Sequence, residues 1–415
     1  MTNLNLFEEA LNITAPWFIT NIDFDEQNKR LDIFIDFTKG SLFHYKNIKT
    51  NIDGNFKAYD TTDKEWRHLN FFEHECYLHA RVPRVKLDNG SVKQIKVPWE
   101  GYSKGFTLLF EALILQLISN MTVYKVSKLI KVSDDKLWRM LEKYIDKALN
   151  ERDLKDIQAI GIDETSNKRG HNYITLFVDL MTKKTIFITE GKDNSTINKF
   201  KQDIEEHNGN VENIENVSCD MSPAFIKGVK ENIPNAEITF DKFHIMKIIN
   251  KAVDKVRKEE VKVENILKDA RYSVLKNREN LTANQKTKLD ELLMSKLNLK
   301  TVRAFHIREN FQTIYKAKTN EEYITLLKKW YFWATHSKIE PIKKAAYTIK
   351  RHWDGIVKWK ESQINNGILE GLNSVIQAAK SKARGFRTLK NFKLIAYLLT
   401  AKFDFSKINK NYLPI

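Results

Sequence analysis

The chain has 415 residues, 42% of them apolar and 11% aromatic, enough for packed cores in roughly two to four domains and too many for a disordered protein. Lys and Arg outnumber Asp and Glu 69 to 53, a net charge of +16, which favours a polyanionic partner, nucleic acid first; an AT-rich coding sequence, which enriches lysine, gives the same balance without a ligand. Cys76 and Cys219 are too few for a disulfide framework, MTNLNLFEEALNITAPWF is acidic where a secretory leader is basic, and no apolar run approaches the about 18 residues of a membrane span, so a cytoplasmic protein is expected.

Residues 23–99 alternate apolar and polar positions, as in LDIFIDF, ECYLHARVPRV and VKQIKVPW, the period of half-buried strands. A β-rich module is expected over 1–100. From Gly105 the period lengthens: FTLLFEALILQLI reads as a buried helix, and MTVYKVSKLIKVSDDKLWRMLEKYIDKAL as two shorter helices split at Lys131-Val132-Ser133. Ser133 would cap the second of these, with Asp134 and Asp135 in its positive first turn and Leu129, Val132, Leu137 and Leu141 as the apolar seam. This is helix-turn-helix patterning over 101–152, with the second helix in the major groove of DNA; an ordinary helical hairpin has the same spacing.

Strands and helices alternate next: IQAIGID, NYITLFVDL, KTIFITE, a helix from Ser195 to His207, VSCD, a short helix after Pro223, and EITFD. An α/β core is expected, its first part over 153–244. Charged amphipathic helices with few glycines fill 245–360 and read as an inserted helical domain. Its Trp330, Trp333, Trp353 and Trp359 would either pack a core or stack on unpaired bases. The core resumes over 361–415 with a helix from about Ile364 to Arg384, broken at Gly385, and another through Leu399.

Asp163 follows the apolar run Ala159-Ile160-Gly161-Ile162, and Asp220 follows Val217-Ser218-Cys219. A charge at the end of a buried strand is costly unless paired or metal-bound, and two such carboxylates in one sheet can share Mg²⁺, which prefers oxygen ligands. Glu370 heads a helix whose period puts Asn373, Gln377, Lys380 or Ser381, and Arg384 on its face, with Leu369, Leu372, Ile376, Ala379 and Ala383 opposite. That face would be a carboxylate followed by phosphate-binding groups, or a solvated surface. His74 and His79 are five apart, one too many for a zinc-protease motif, and no GxxxxGK[ST] loop occurs. Both cysteines read as packing residues.

Over nearly its whole length the sequence resembles the ISL-three family of insertion-sequence transposases. The resemblance is carried by WRHLNFF, YLHARVPRVK, VSDDKLWRML, IGIDE, CDMSPAF, DKFH and NNGILEGLNSVIQAAKSKARGFR. It implies an RNase-H-like catalytic core in which Asp163, Asp220 and Glu370 hold two Mg²⁺ or Mn²⁺ ions about 3.5 to 4 Å apart, for cleavage and strand transfer at terminal inverted repeats. It also implies double-stranded DNA as the partner, a homodimer or higher oligomer holding two ends, and a bacterial, nucleoid-associated location. Asp241 and His244 of DKFH match the family and would orient DNA or support the metal, or His244 would simply cap or pack a helix. Lys136, Arg139, Lys168, Arg169, His171, Asn373, Lys380, Lys382, Arg384 and Arg387 are candidate DNA contacts. Family members carry an N-terminal zinc ribbon, but the ligand positions here hold Tyr45, Ile48, Leu87 and Gly90, so the module is expected to fold without zinc. Glu164 is left out of the triad because strand alternation turns it the other way.

Overall fold

The computed structural model describes residues 3–47, 50–168, 172–362 and 367–411. The chain forms two compact units, Met1–Arg152 with Lys382–Ile415, and Asp153–Ser381.

In the first unit α1 (Asn3–Leu11) precedes β1 (Trp17–Asp25), β2 (Arg30–Phe37), β3 (Leu42–Asn47), β4 (Ile52–Arg67), β5 (Glu75–Lys86) and β6 (Val92–Gln94). Their order in the sheet is β1-β2-β5-β4-β3, with β6 also paired to β5. Period two decides which face is core: β2 buries Leu31, Ile33 and Ile35, and β5 buries Cys76, Leu78, Ala80 and Val82. Trp17 and Trp66 both meet Trp99 edge to face, at 5.2 and 5.9 Å. Arg67 N donates to Gly105 O and Thr107 N to Arg67 O, which ties the sheet to the helices that follow.

Those helices are α2 (Leu108–Asn120), α3 (Val123–Ile130) and α4 (Asp134–Asn150). The α3–α4 turn is made by Lys131 in the left-handed region at φ 55°, a conformation that normally favours glycine. Two details differ from the sequence expectation. Ser133 occupies the cap position of α4 without a side-chain cap bond. Leu129 is 62% exposed, and the seam is instead Val126, Ile130, Leu137, Met140 and Leu141. The 3.6 period places the stripe only to within a residue, and packing chooses the row that leaves Leu129 outside.

Glu111 is a fully buried carboxylate in α2. It accepts from Tyr102 N at 2.7 Å, Ser103 N at 2.6 Å and the Tyr144 hydroxyl at 2.7 Å. Burial still pushes its acid up to about 6.

The second unit holds β7 (Ala159–Lys168), β8 (Asn172–Asp179), β9 (Lys184–Glu190), α5 (Ser195–Glu206), β10 (Asn216–Cys219), α6 (Pro223–Asn232) and β11 (Glu237–Phe240). The sheet order is β11-β10-β7-β8-β9, with β7, β8 and β9 antiparallel and β10 and β11 parallel to β7. Every strand in this sheet was legible as an apolar run. Phe177 of β8 stacks on Phe200 of α5 at 4.5 Å, fixing that helix to the sheet.

Helices α7 (Lys242–Glu260), α8 (Arg271–Leu275), α9 (Ala283–Met294), α10 (Lys300–Ile314), α11 (Asn320–His336), α12 (Glu340–Arg351) and α13 (Trp353–Ser362) separate β11 from α14 (Gly367–Lys382). They pack around Ile249, Phe305, Phe311, Trp330 and Ile349. The final α15 (Leu389–Thr400) belongs to the first unit, where it buries Phe392 and Ala396 and packs on α4. No helix among the described residues is long and apolar enough to cross a membrane.

Candidate active site

The strand registers line up three aspartates. Gly161 of β7 pairs with Ser218 of β10, and Cys219 of β10 with Phe240 of β11. Carried on by two residues and by one, these registers bring Asp163, Asp220 and Asp241 to one level on neighbouring strands, which lie about 4.8 Å apart and present same-level side chains to the same face. Asp163 does not end its strand as expected, because β7 runs on to Lys168 along β8. It sits instead where β10 stops pairing with β7.

Helix α14 covers that face. A Cβ on Gly161 would lie 2.8 Å from Leu369, so glycine is what lets α14 approach the strand two residues before Asp163. Glu370, the residue after Leu369, is thereby brought beside the aspartates: burial raises its acid, and Asp241 raises it further. The polar face of α14 is not free. Asn373 Nδ2 donates to Asp163 Oδ2 at 2.6 Å, Gln377 Nε2 to Thr165 Oγ1 at 2.6 Å, and Lys380 Nζ to Ser166 O at 2.6 Å. Asn373 and Lys380, read from the sequence as DNA contacts, hold α14 against β7.

The acids crowd one another. Asp163 is raised by burial and by Asp220 and Asp241, against the Glu164 amide and His244, which lower it. Asp163 Oδ1 accepts from Glu164 N at 2.8 Å, Asp220 Oδ1 from Ser222 N at 2.8 Å, and the buried Asp241 caps α7 through Phe243 N at 3.1 Å. His244 Nδ1 lies 3.5 Å from Asp241 Oδ2, an ion-pair separation. That carboxylate, with Asp163 and Asp220, holds the imidazole proton more tightly than usual despite burial. Glu164 follows Asp163 in the continuing strand β7, so alternation turns its side chain to the other face; burial and the Asp220 charge push it up to about 7, with Lys192 opposing.

The other sequence candidates lie elsewhere. Lys136 and Arg139 are exposed on α4, and Lys143, missed from the sequence, continues their stripe at helical spacing. Lys382 Nζ donates to Asn120 O at 2.6 Å. Arg384 adopts φ 55° just before Gly385, and both it and Arg387 are exposed. Lys168 closes β7, while Arg169, His171 and, from the zinc-ligand comparison, Ile48 fall outside the described residues. Tyr45 lies in β3, and Leu87 and Gly90 lie between β5 and β6.

Among the described residues, the acidic and imidazole groups whose ligand atoms all fall within 4.8 Å of one another are Asp32, Glu65 and His79. Arg30 already forks onto Asp32 with two bonds of 2.6 Å, so this cluster on the first sheet is a salt-bridge network. Cys76 and Cys219 are buried, and burial pushes the Cys76 thiol up to about 12, as expected of packing residues.

Residues 160–396, more than half of the chain, match the family model described as Transposase, of the ISL3 DDE group. The chain belongs to the ISL3 transposase family. Residues 95–145 match the helix-turn-helix domain of the same family, so α3 and α4 form a DNA-binding element of this transposase. It is 27% identical over 352 residues to the transposase for insertion sequence element IS1001 of Bordetella parapertussis, covering 81% of this chain and 84% of that one. It is 26% identical over 373 residues to the transposase for insertion sequence element IS1557 of Mycobacterium tuberculosis, covering 81% and 82%. A chain from the cryoEM structure of a simian T-cell lymphotropic virus intasome in complex with PP2A regulatory subunit B56 gamma aligns at 15% identity and a TM-score of 0.17, over 45% of this chain and 76% of that one. So low a score carries no weight for the fold.

Proposed function

We propose that this transposase cuts DNA at the terminal inverted repeats of its insertion sequence and joins the freed ends to target DNA, using divalent ions held by Asp163, Asp220 and Glu370. The observation that carries this reading is the alignment of strand-borne aspartates in one sheet, with Glu370 beside them on α14. Strand order and register support an RNase-H-like core with α7–α13 as its insertion.

The donor set fits Mg²⁺ or Mn²⁺. It consists of carboxylate oxygens, with the buried Asn373 Oδ1 still lacking a hydrogen-bond partner among the described residues, and hard cations take oxygen ligands. Mutual repulsion among the acids is what a divalent cation would relieve. Bound ions would activate the attacking oxygen and stabilise charge on the departing one. The protein's own groups do the rest. Asn373 orients Asp163, Gln377 and Lys380 hold the Glu370 helix in place, and His244 supplies a positive charge beside Asp241. No side chain needs to become a covalent nucleophile. Lys136, Arg139 and Lys143 present the helix-turn-helix to DNA, and two copies of the chain hold the two ends.

Strand joining tests this. A labelled duplex carrying the flanking inverted repeat is incubated with a supercoiled plasmid, Mg²⁺ and either the natural protein or Asp220→Asn. The reading expects joined product from the natural protein alone. Specific end binding without joining would reduce the protein to a DNA-binding regulator; cutting of branched DNA without end preference would make it a structure-specific nuclease.

A further inference from the structure

Residues Arg303, His306 and Asn310 form an exposed stripe along α10, spaced three and four apart. With Trp333, His336 and Lys338 from the end of α11 and just beyond, they line a groove of about 760 Å³ within the second unit. Two features set this groove apart from ordinary helical surface.

The first is charge. Arg303 and Lys338 make no ion pair with any described residue, whereas Glu309, the acid on the lining, is already neutralised by Arg308 and by Arg278 at 3.6 Å. The field in the groove is therefore positive. The second is an indole the core does not use. Trp330, one turn earlier in α11, is 1% exposed and donates its indole N–H to Ile307 O at 2.9 Å; Trp333 is 43% exposed and lines the groove with the cations. Aromatic faces set among unpaired cations are what bind single-stranded nucleic acid, because every base has a face to stack and every nucleotide a phosphate.

We propose that this groove takes an unpaired nucleotide of DNA, its base stacked on Trp333 and its phosphate held by Arg303 and Lys338. The inference rests on the proposed cutting reaction only for the source of such nucleotides, since cleavage frees strand ends. An apolar peptide fits less well, because the lining sets its one indole beside unpaired cations and an acid that is already neutralised.

The test uses the full chain in EDTA, so that no cutting is required. Its probes are a blunt duplex and the same duplex with a three-nucleotide single-stranded extension containing 2-aminopurine, whose fluorescence is quenched by stacking. The natural protein should quench the probe and prefer the extended end. Trp333→Ala should lose the quenching and bind the extended end about tenfold more weakly, with blunt-duplex affinity unchanged; Trp333→Phe should keep much of both effects. Tyr347→Ala, which removes an exposed aromatic of α12 outside the groove, should behave as the natural protein. Unchanged quenching in Trp333→Ala, or equal loss on both duplexes, would overturn the proposal. If stacking depends on Trp333 but strand joining fails with Mg²⁺, the groove stands and the cutting reaction falls.

Discussion

Glu111 in the first unit and the Asp163 level in the second are both carboxylate sites drawn out of water, and they keep different company. Glu111 is met by three donors on both oxygens. Asp220 accepts from one backbone amide of its own turn, and around it burial and neighbouring carboxylates raise the proton affinity of Asp163, Glu164 and Glu370. A buried charge saturated with donors is architecture, whereas charges packed together with lone pairs to spare are suited to a cation. The contrast separates a structural glutamate from a site without appeal to the family.

Substitution should break the two cases in opposite ways. Replacing Glu111 by Ala strands two amides and a hydroxyl, and should cost about 3 kcal/mol of stability, read by chemical denaturation, while sparing any cutting activity of the chain that still folds. A loss under 1 kcal/mol would mean those donors find other partners. Next in size is Asn373→Ala, which removes the 2.6 Å bond to Asp163. It should weaken Mn²⁺ affinity, measured by calorimetry on the DNA-bound full chain, by about 10- to 100-fold, with stability little changed. Unaltered affinity would reduce Asn373 to a helix clamp.

The smallest effect is a pH dependence. The folded-state acid of Glu111 lies at about 6, above its ordinary 4.5, so between those values the folded chain binds more protons than the unfolded one. Stability should therefore fall as pH rises through that window, by about 2 kcal/mol, and then level off. Asp163, Glu164 and Glu370, whose acids are also raised, add to the fall with the same sign. Denaturation of Glu111→Gln should retain their share and lack the Glu111 component; an identical profile in the two proteins would show that Glu111 does not titrate there.

The sequence displayed one side of this contrast better than the other. Strands β7 to β11 were visible as apolar runs, and Asp163 and Asp220 stood out because a charge ended or interrupted them. Asp241 was visible in FDKFH, but its level beside Asp220 depends on register, which pairing creates. The period of α14 grouped Asn373, Gln377 and Lys380 on one face without saying that this face meets β7. Glu111 was visible as a lone acid in FTLLFEALILQLI, but its partners Tyr102, Ser103 and Tyr144 come together only in the fold. Trp330 and Trp333, three residues apart on α11, likewise diverge only once α10 packs against one of them.

The most direct test of the central claim is thermal melting of the full chain in EDTA and in rising Mg²⁺, for the natural protein and the double variant Asp163→Asn, Asp220→Asn. Crowded acids reserved for a cation predict that the natural protein melts higher as Mg²⁺ is added, that the variant does not respond, and that in EDTA the variant melts at or above the natural protein. An equal Mg²⁺ response in both, or a variant that melts lower in EDTA, would contradict the account.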